Sequence, residues 1–262
     1  MDLFIEFDRQ QLTFRTNIPE VAGYLTDTFC HMLVPAATNS VGMTEFNQTP
    51  EGYALRSAES IDYEGIALEE FLPLMKDEVR LQFMRARPDL LWMHAGAIER
   101  AGGALLLAAK SGQGKSTLST YLCGHGWKFL SDDIAPIRMD TDIVIPFPQL
   151  PVRRLHPGRE VGEGELHMLE RETVPVSPVG VRRDDTDIRG IVFIEYVKGA
   201  DAKLVTLDQG SAAIEILRNA TNFWDHKSAA VERAAHLVGR IVMYRLAYDQ
   251  PHEAVEVVNK LW

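Results

Sequence analysis

Residues 104–120 read ALLLAAKSGQGKSTLST. The first six form an unbroken apolar run, which is typical of a strand buried on both faces of a sheet that helices cover. The end of the stretch predicts a helix that begins at Gly114 or Lys115 and runs to about Cys123. Because strand and helix are joined by a short glycine-rich loop, the centre of the chain predicts an α/β fold.

The loop between strand and helix carries a phosphate-binding pattern. Ala109, Gly114, Lys115 and Ser116 occupy the fixed positions of the P-loop pattern G-x-x-x-x-G-K-[ST]. The departure at Ala109 is mild, because the first glycine mainly permits the turn, whereas Gly114 lets the backbone close on a phosphate without a Cβ in the way. A surface turn with an incidental lysine is the alternative interpretation.

In a P-loop, main-chain N–H groups form a concave nest for an anion, and the following helix N-terminus adds partial positive charge. Lys115 would then reach the β- and γ-phosphates, and the hydroxyl of Ser116 would ligate Mg²⁺. The residues predicted to bind the nucleotide are Ser111, Gly112, Gln113, Gly114, Lys115, Ser116 and Thr117.

Two adjacent acids end the strand that follows the helix, WKFLSDD at residues 127–133. Since parallel strands direct their carboxyl ends to one edge of a sheet, Asp132 and Asp133 are expected to reach the nucleotide. One carboxylate would hold Mg²⁺ and the other would accept a proton from an attacking hydroxyl. A helix N-cap or a solvated turn would also explain the pair.

The N-terminal third of the chain differs from this core. Residues 1–89 alternate strand-like runs with a helix over 18–33 and a second helix over 68–87, which predicts a small α+β lobe. Residues 90–262 are predicted to form the catalytic domain. Its later part predicts a strand at 188–197, helices near 211–218 and 228–238, a strand at 241–248 and a last helix from about 252 to 261.

A proline-rich segment over 134–180 interrupts the catalytic domain, and its composition predicts edge strands and a mobile loop over 158–170. Arg153 and Arg154 in this segment are candidates for contacting the transferred phosphate or an acidic substrate. A solvated basic turn is the preferred explanation of both residues.

Composition excludes several classes of protein. The formal net charge of -10 disfavours binding to nucleic acid or to an anionic membrane. We find neither a long apolar span nor a signal peptide in the sequence, so the protein is expected to be cytoplasmic. Cys30 and Cys123 are expected to be a reduced, buried pair of thiols.

The ordered set of His94, AAKSGQGKST, FLSDD and DIRG at 187–190 resembles HPr kinase/phosphorylase and the wider group of HPr-kinase-related proteins, which includes serine kinases that tailor lasso peptides. The resemblance covers residues 91–197, while residues 1–90 do not resemble the N-terminal domain of the HPr enzyme. It implies a P-loop kinase core of the HPr kinase/PEP carboxykinase type with a mixed sheet, and favours a related kinase over a true HPr enzyme.

The resemblance also implies roles for residues at matching positions. Asp132 matches the catalytic carboxylate, and His94 matches a histidine that tunes it, although a core histidine is the alternative. Asp133, with Ser116, matches the metal side of the site. Asp187 and Arg189 fall on a Glu-x-Arg-Gly signature, in which Asp187 would face the metal and Arg189 would stabilise phosphate charge. An ion pair at a strand end is the other explanation of Arg189.

The sequence therefore predicts an ATP- and Mg²⁺-dependent kinase that phosphorylates a hydroxyl. The preferred acceptor is a serine in a peptide or protein. The N-terminal lobe would help to select the acceptor. A small-molecule kinase and a nucleotide-gated peptide-binding module without transfer are the rival functions, and PEP carboxykinase is disfavoured by the length of the chain. The oligomeric state stays open, a homo-oligomer included.

Overall fold

The computed structural model describes residues 1–35, 40–57, 60–63, 68–154 and 171–262. The chain divides into two compact units, Met1–Pro88 and Asp89–Trp262. The predictions for the loop over 158–170 and for the side chains of Arg153 and Arg154 lie outside what the structure describes.

The first unit is a mixed sheet with helices against it. In chain order its described elements are β1 (Asp2–Phe7), β2 (Gln10–Thr16), α1 (Pro19–Thr28), β3 (Ser40–Thr49), β4 (Gly52–Arg56), β5 (Ser60–Tyr63) and α2 (Leu68–Ala86). The strands follow one another in the order β1-β2-β3-β4-β5, and only the β2–β3 pair is parallel. Helix α1 ends earlier than the predicted residue 33, because the chain leaves the helix at Phe29.

The second unit contains the glycine-rich loop. In chain order its described elements are β6 (Leu90–Met93), β7 (Ala95–Arg100), β8 (Gly103–Ala108), α3 (Lys115–Gly124), β9 (Lys128–Ser131), β10 (Ala135–Arg138), β11 (Ile143–Val144), β12 (Val152–Arg154), β13 (Arg171–Thr173), β14 (Thr186–Tyr196), β15 (Lys203–Thr206), α4 (Gln209–Asn219), α5 (Phe223–His226), α6 (Ser228–Arg240), β16 (Val242–Tyr248) and α7 (Pro251–Asn259).

The main sheet of this unit is mixed and has β8 near its centre. Its order is β6-β10-β11-β14-β8-β7-β9, and β16 lies beside β14 and carries β15. Strands β8, β14 and β16 are parallel, whereas β7 is antiparallel to both β8 and β9. Strands β8 and β9 therefore run in the same direction, with β7 between them, and their carboxyl ends lie at one edge of the sheet.

Helices cover both faces of this sheet. Leu106 of β8 belongs to a core that includes residues of α4 and α6, and Leu105 and Leu107 belong to a core that includes residues of α3 and α7. All residues of β8 are buried. This two-sided burial explains why the strand is apolar throughout rather than alternating.

The chain passes from one part of the sheet to another at His94, between β6 and β7. Strand β6 pairs with β10 on one side of the sheet, while β7 pairs with β8 and β9 on the other. The His94 N–H donates to the carbonyl of Asn219 at 2.6 Å. The last residue of α4 thus fixes the backbone at the point where the two strands separate.

Asn222 strengthens this junction, and its removal tests how much the junction contributes to stability. Its Oδ1 accepts from the Trp92 N–H at 2.9 Å, and its Nδ2 donates to the Leu90 carbonyl at 2.8 Å. We expect Asn222→Ala to lower the free energy of unfolding by about 2 kcal/mol, because the buried Trp92 N–H loses its acceptor and the Leu90 carbonyl loses one of its two side-chain contacts. Urea denaturation measures this. Asn219→Ala, which removes a bond within α4, is the control, and an equal loss there would contradict the assignment.

The proline-rich segment departs from prediction in one respect. Pro136 lies in β10, which pairs on both sides, with β6 and β11, and is not an edge strand. The strand tolerates proline because it is only four residues long and Pro136 keeps its carbonyl, which accepts from the Ile145 N–H at 2.9 Å.

The expectation for the cysteines is also wrong in part. Both are free thiols, but Cys30 is exposed and Cys123 is only partly buried, so they do not form a buried pair. Among the helices that the structure describes, none has the length and apolar character to cross a membrane.

Candidate functional site

The glycine-rich loop connects the carboxyl end of β8 to the first residue of α3. Gly112 and Gly114 have φ angles of 87° and 86°, in the left-handed region that favours glycine. Helix α3 begins at Lys115, and no side chain caps its N-terminus. The first N–H groups of the helix therefore have no side-chain acceptor from the N-cap position, as an anion-binding turn requires.

Tyr248 limits the space at Gly114. It is buried at the end of β16, and its hydroxyl donates to the Gly114 carbonyl at 3.3 Å. A Cβ at position 114 would collide with the Tyr248 hydroxyl. Burial raises the pKa of Tyr248 to about 12, so the hydroxyl stays protonated and remains a donor at neutral pH.

Lys115 is 5% exposed, and its ammonium group is held among protein acceptors. Nζ donates to the carbonyl of Ala109 at 3.1 Å and lies 2.9 Å from His94 Nε2. Asp133 Oδ1 is 3.4 Å from the same nitrogen. The cation is thus fixed at the mouth of the loop before any phosphate is bound.

His94 stands between Lys115 and Asp133. Because an ammonium group only donates, Nε2 of His94 accepts from Lys115, and a neutral ring then carries its hydrogen on Nδ1. Nδ1 lies 3.5 Å from Asp133 Oδ1. The side chains of His94 and Asp133 are 30% and 27% exposed, so both reach solvent at this edge of the sheet.

The other acid of the pair, Asp132, faces α3. Ser116 donates its hydroxyl to Asp132 Oδ2 at 2.9 Å, and Asp132 is only 2% exposed. Burial raises the pKa of Cys123 to about 12, and the negative charge of Asp132 contributes to this rise. Within the described residues no group of three or more His, Cys, Asp and Glu could hold a metal ion alone, so phosphate oxygens would have to complete a magnesium site here.

This geometry differs from the predicted division of labour. The sequence resemblance pairs Ser116 with Asp133 on the metal side and His94 with Asp132. In the structure Ser116 contacts Asp132 and His94 contacts Asp133. The two acids diverge where the backbone turns at Asp133, whose φ is 68°, so that Asp132 meets Ser116 and Asp133 meets Lys115 and His94.

Asp187 and Arg189 do not belong to this site. Asp187 is paired with Gly103 at the start of β8, whereas the loop follows Ala108 at its end. At about 3.3 Å per residue, five positions correspond to about 17 Å along the strand. Arg189 lies over Gly103, where its side chain occupies the space that a Cβ would need. Both residues thus lie at the opposite edge of the sheet from the loop, and the geometry gives no support to a metal-binding role for Asp187 or a phosphate-binding role for Arg189.

Comparison with solved structures finds similar folds. The fold is similar to that of the HPr(Ser) kinase/phosphatase from Coxiella burnetii, with 11% sequence identity, a TM-score of 0.34, and coverage of 65% of this chain and 95% of that one. A TM-score this low says nothing of activity. No protein-family model and no curated protein matches the sequence.

Other residues of the loop are placed as follows. Ser111 and Thr117 are exposed, and Gln113 accepts from the Tyr196 N–H through its Oε1 at 2.8 Å.

Tyr248 was missed by sequence reasoning, which treated it as part of a strand. The signal that could have found it is its position at the carboxyl end of a strand parallel to β14, on the edge that carries the loop.

Proposed function

We propose that this chain is an ATP-dependent phosphotransferase that transfers the γ-phosphoryl group to a hydroxyl. The observation that carries the proposal is the contact of 2.9 Å between Ser116 Oγ and Asp132 Oδ2, next to a buried Lys115 at the start of α3. A hydroxyl on the first helical turn and a carboxylate at a neighbouring strand end are the ligands with which P-loop enzymes hold Mg²⁺ on a triphosphate.

Binding of the triphosphate would use the loop backbone and Lys115. The N–H groups at the start of α3 offer donors to phosphate oxygens, and the helix dipole favours the negative charge. Lys115 exchanges its contacts with Ala109 and Asp133 for the terminal phosphates. This exchange keeps the ammonium paired, so its burial is compensated in both states.

The residues present fit Mg²⁺, because the ion prefers oxygen ligands and keeps several waters. Ser116 and Asp132 would hold it, and it would neutralise charge on the transferred group. Asp132 is suited to this role because it already lies 2.9 Å from the Ser116 hydroxyl, the other proposed ligand of the ion.

Asp133 is the better candidate for the general base. It reaches solvent and lies beside His94, whose ring orients it. In the reaction the acceptor oxygen forms a bond to the γ-phosphorus while the bond to the β–γ bridging oxygen breaks. The hydroxyl proton passes to Asp133 and ADP leaves. A serine of a peptide or protein is the acceptor proposed, on the strength of the sequence resemblance.

Incubation with γ-labelled ATP, Mg²⁺ and a library of serine-containing peptides tests the proposal. We expect label in peptides and intact masses raised by one phosphoryl group. ATP binding without label in peptides would favour the nucleotide-gated binding module, and label in small molecules alone would favour a small-molecule kinase. Absence of ATP binding would contradict the proposal altogether.

Ser116→Ala gives a sharper test of the metal side. We expect the Mg²⁺ concentration for half-maximal ATP binding to rise about tenfold, since one ligand is lost and Asp132 loses its hydrogen-bond donor. Tyr121→Phe is the control, because it removes an exposed hydroxyl from a later turn of the same helix. Calorimetric titration at several Mg²⁺ concentrations measures the shift, and equal values for both variants would count against the site.

A further inference from the structure

Tyr196 is a half-exposed aromatic residue that the phosphate chemistry does not use. It ends β14, the strand that lies parallel to β8, with Phe193 level with Ala108. Tyr196 is thus three residues beyond the point where β8 passes into the glycine-rich loop. Its side chain is on the same side of the sheet as Val192 and Ile194, which pack in the core with α3.

Several contacts fix Tyr196 against the loop. Its N–H donates to Gln113 Oε1 at 2.8 Å, and its ring meets the ring of Tyr248 edge-on, with centroids 6.4 Å apart. Its hydroxyl donates to Asp249, which raises the pKa of Tyr196 and lowers that of Asp249. The residue nevertheless remains 46% exposed, so an ordered aromatic surface stands beside the loop.

The acids and Tyr196 flank the loop on opposite sides. In the sheet, β9 with Asp132 and Asp133 lies on the β7 side of β8, and β14 with Tyr196 lies on the other side. A triphosphate is an unbranched chain with the nucleoside at one end. In the proposed function its terminal phosphate lies near Lys115 and the acids. The nucleoside end would then extend away from the acids, and the flank opposite to them is the one where β14 ends.

We propose that Tyr196 is the stacking platform for the base of the bound nucleotide. The inference rests on the proposed function, since it takes the position of the terminal phosphate from it. A tyrosine ring offers a face to any nucleobase, and stacking of this kind tolerates different bases because every base has a π-face. Three contacts that restrain the residue before binding reduce the entropy lost when the base stacks.

The experiment compares ATP with inorganic tripolyphosphate, which has the phosphates but no base. We expect Tyr196→Ala to raise the Kd for ATP about tenfold, or about 1.4 kcal/mol, and to leave the Kd for tripolyphosphate within about twofold. Tyr196→Phe keeps the ring and should bind ATP nearly as the unaltered protein does. Tyr121→Ala is the control for removal of an equally exposed tyrosine, at 45%, from the surface of α3.

The possible results separate the two proposals. Equal weakening of ATP and tripolyphosphate by Tyr196→Ala would mean that the residue only supports the loop, and would overturn the stacking role. The stacking role also fails if the unaltered protein binds both ligands equally tightly, or if Tyr196→Phe is as weak as Tyr196→Ala. Failure of the unaltered protein to bind either ligand would remove the proposed function as well.

Discussion

Asp133→Asn is expected to lower the rate of phosphoryl transfer about a thousandfold while leaving ATP binding within about threefold, as loss of a general base does. Asparagine keeps the shape of the side chain and tolerates the positive φ of 68° at this position. The fold and the backbone turn at position 133 should therefore be unchanged. Initial rates with a labelled peptide acceptor, together with calorimetric ATP titration, measure the two quantities.

Asp132→Asn is the informative comparison, because the sequence resemblance gives Asp132 the role of general base that we propose for Asp133. We expect Asp132→Asn to raise the Mg²⁺ requirement, and to recover much of the rate at high Mg²⁺. The opposite pattern would overturn the assignment drawn from the structure: loss of transfer at saturating Mg²⁺ in Asp132→Asn with transfer retained in Asp133→Asn.

Gly114→Ala is expected to weaken ATP binding about a hundredfold and to cost about 3 kcal/mol of stability. Two causes combine: a non-glycine residue at a φ of 86° is strained, and the new Cβ collides with the hydroxyl of Tyr248. Either the loop or the end of β16 must move. Thermal denaturation and ATP titration measure the two effects.

Two variants separate strain from collision. Gly102 has a similar φ of 79° and open space around it, so the loss of stability in Gly102→Ala measures backbone strain alone. In Gly114→Ala combined with Tyr248→Phe the hydroxyl is gone, and the remaining ring carbon at 3.5 Å is an ordinary contact. We expect the double variant to regain at least about 1 kcal/mol relative to Gly114→Ala. No recovery would show that Tyr248 does not confine the loop.

Much of the arrangement around the loop could be predicted from the sequence. The apolar run of β8, the helix start at Lys115 and the strand before Asp132 all follow from local patterns, because each element is short and bounded by glycine or acidic residues. The approach of the two acids to the loop follows from strand direction alone, although β7 lies between the strands concerned.

The rest depends on pairing that no local pattern reveals. Which oxygen of the acid pair meets Ser116 is decided by the backbone turn at Asp133, and sequence spacing does not encode it. Asp187 and Arg189 fall on a recognised signature, yet the parallel register of β14 against β8 places them at the wrong edge. Tyr196 and Tyr248 become visible only once β14 and β16 are known to lie beside β8.

The β7–β8 hairpin has a consequence for how the molecule assembles. His94, Lys115 and Asp133 all belong to one uninterrupted stretch of chain, and Ala95 is paired with Ala108 across the hairpin. Contacts between residues close in sequence cost little loop-closure entropy. The reactive groups can thus meet early during folding, whereas the tyrosine that restrains Gly114 arrives only when the last strand docks. The restraint on Gly114 therefore depends on the docking of β16 against β14.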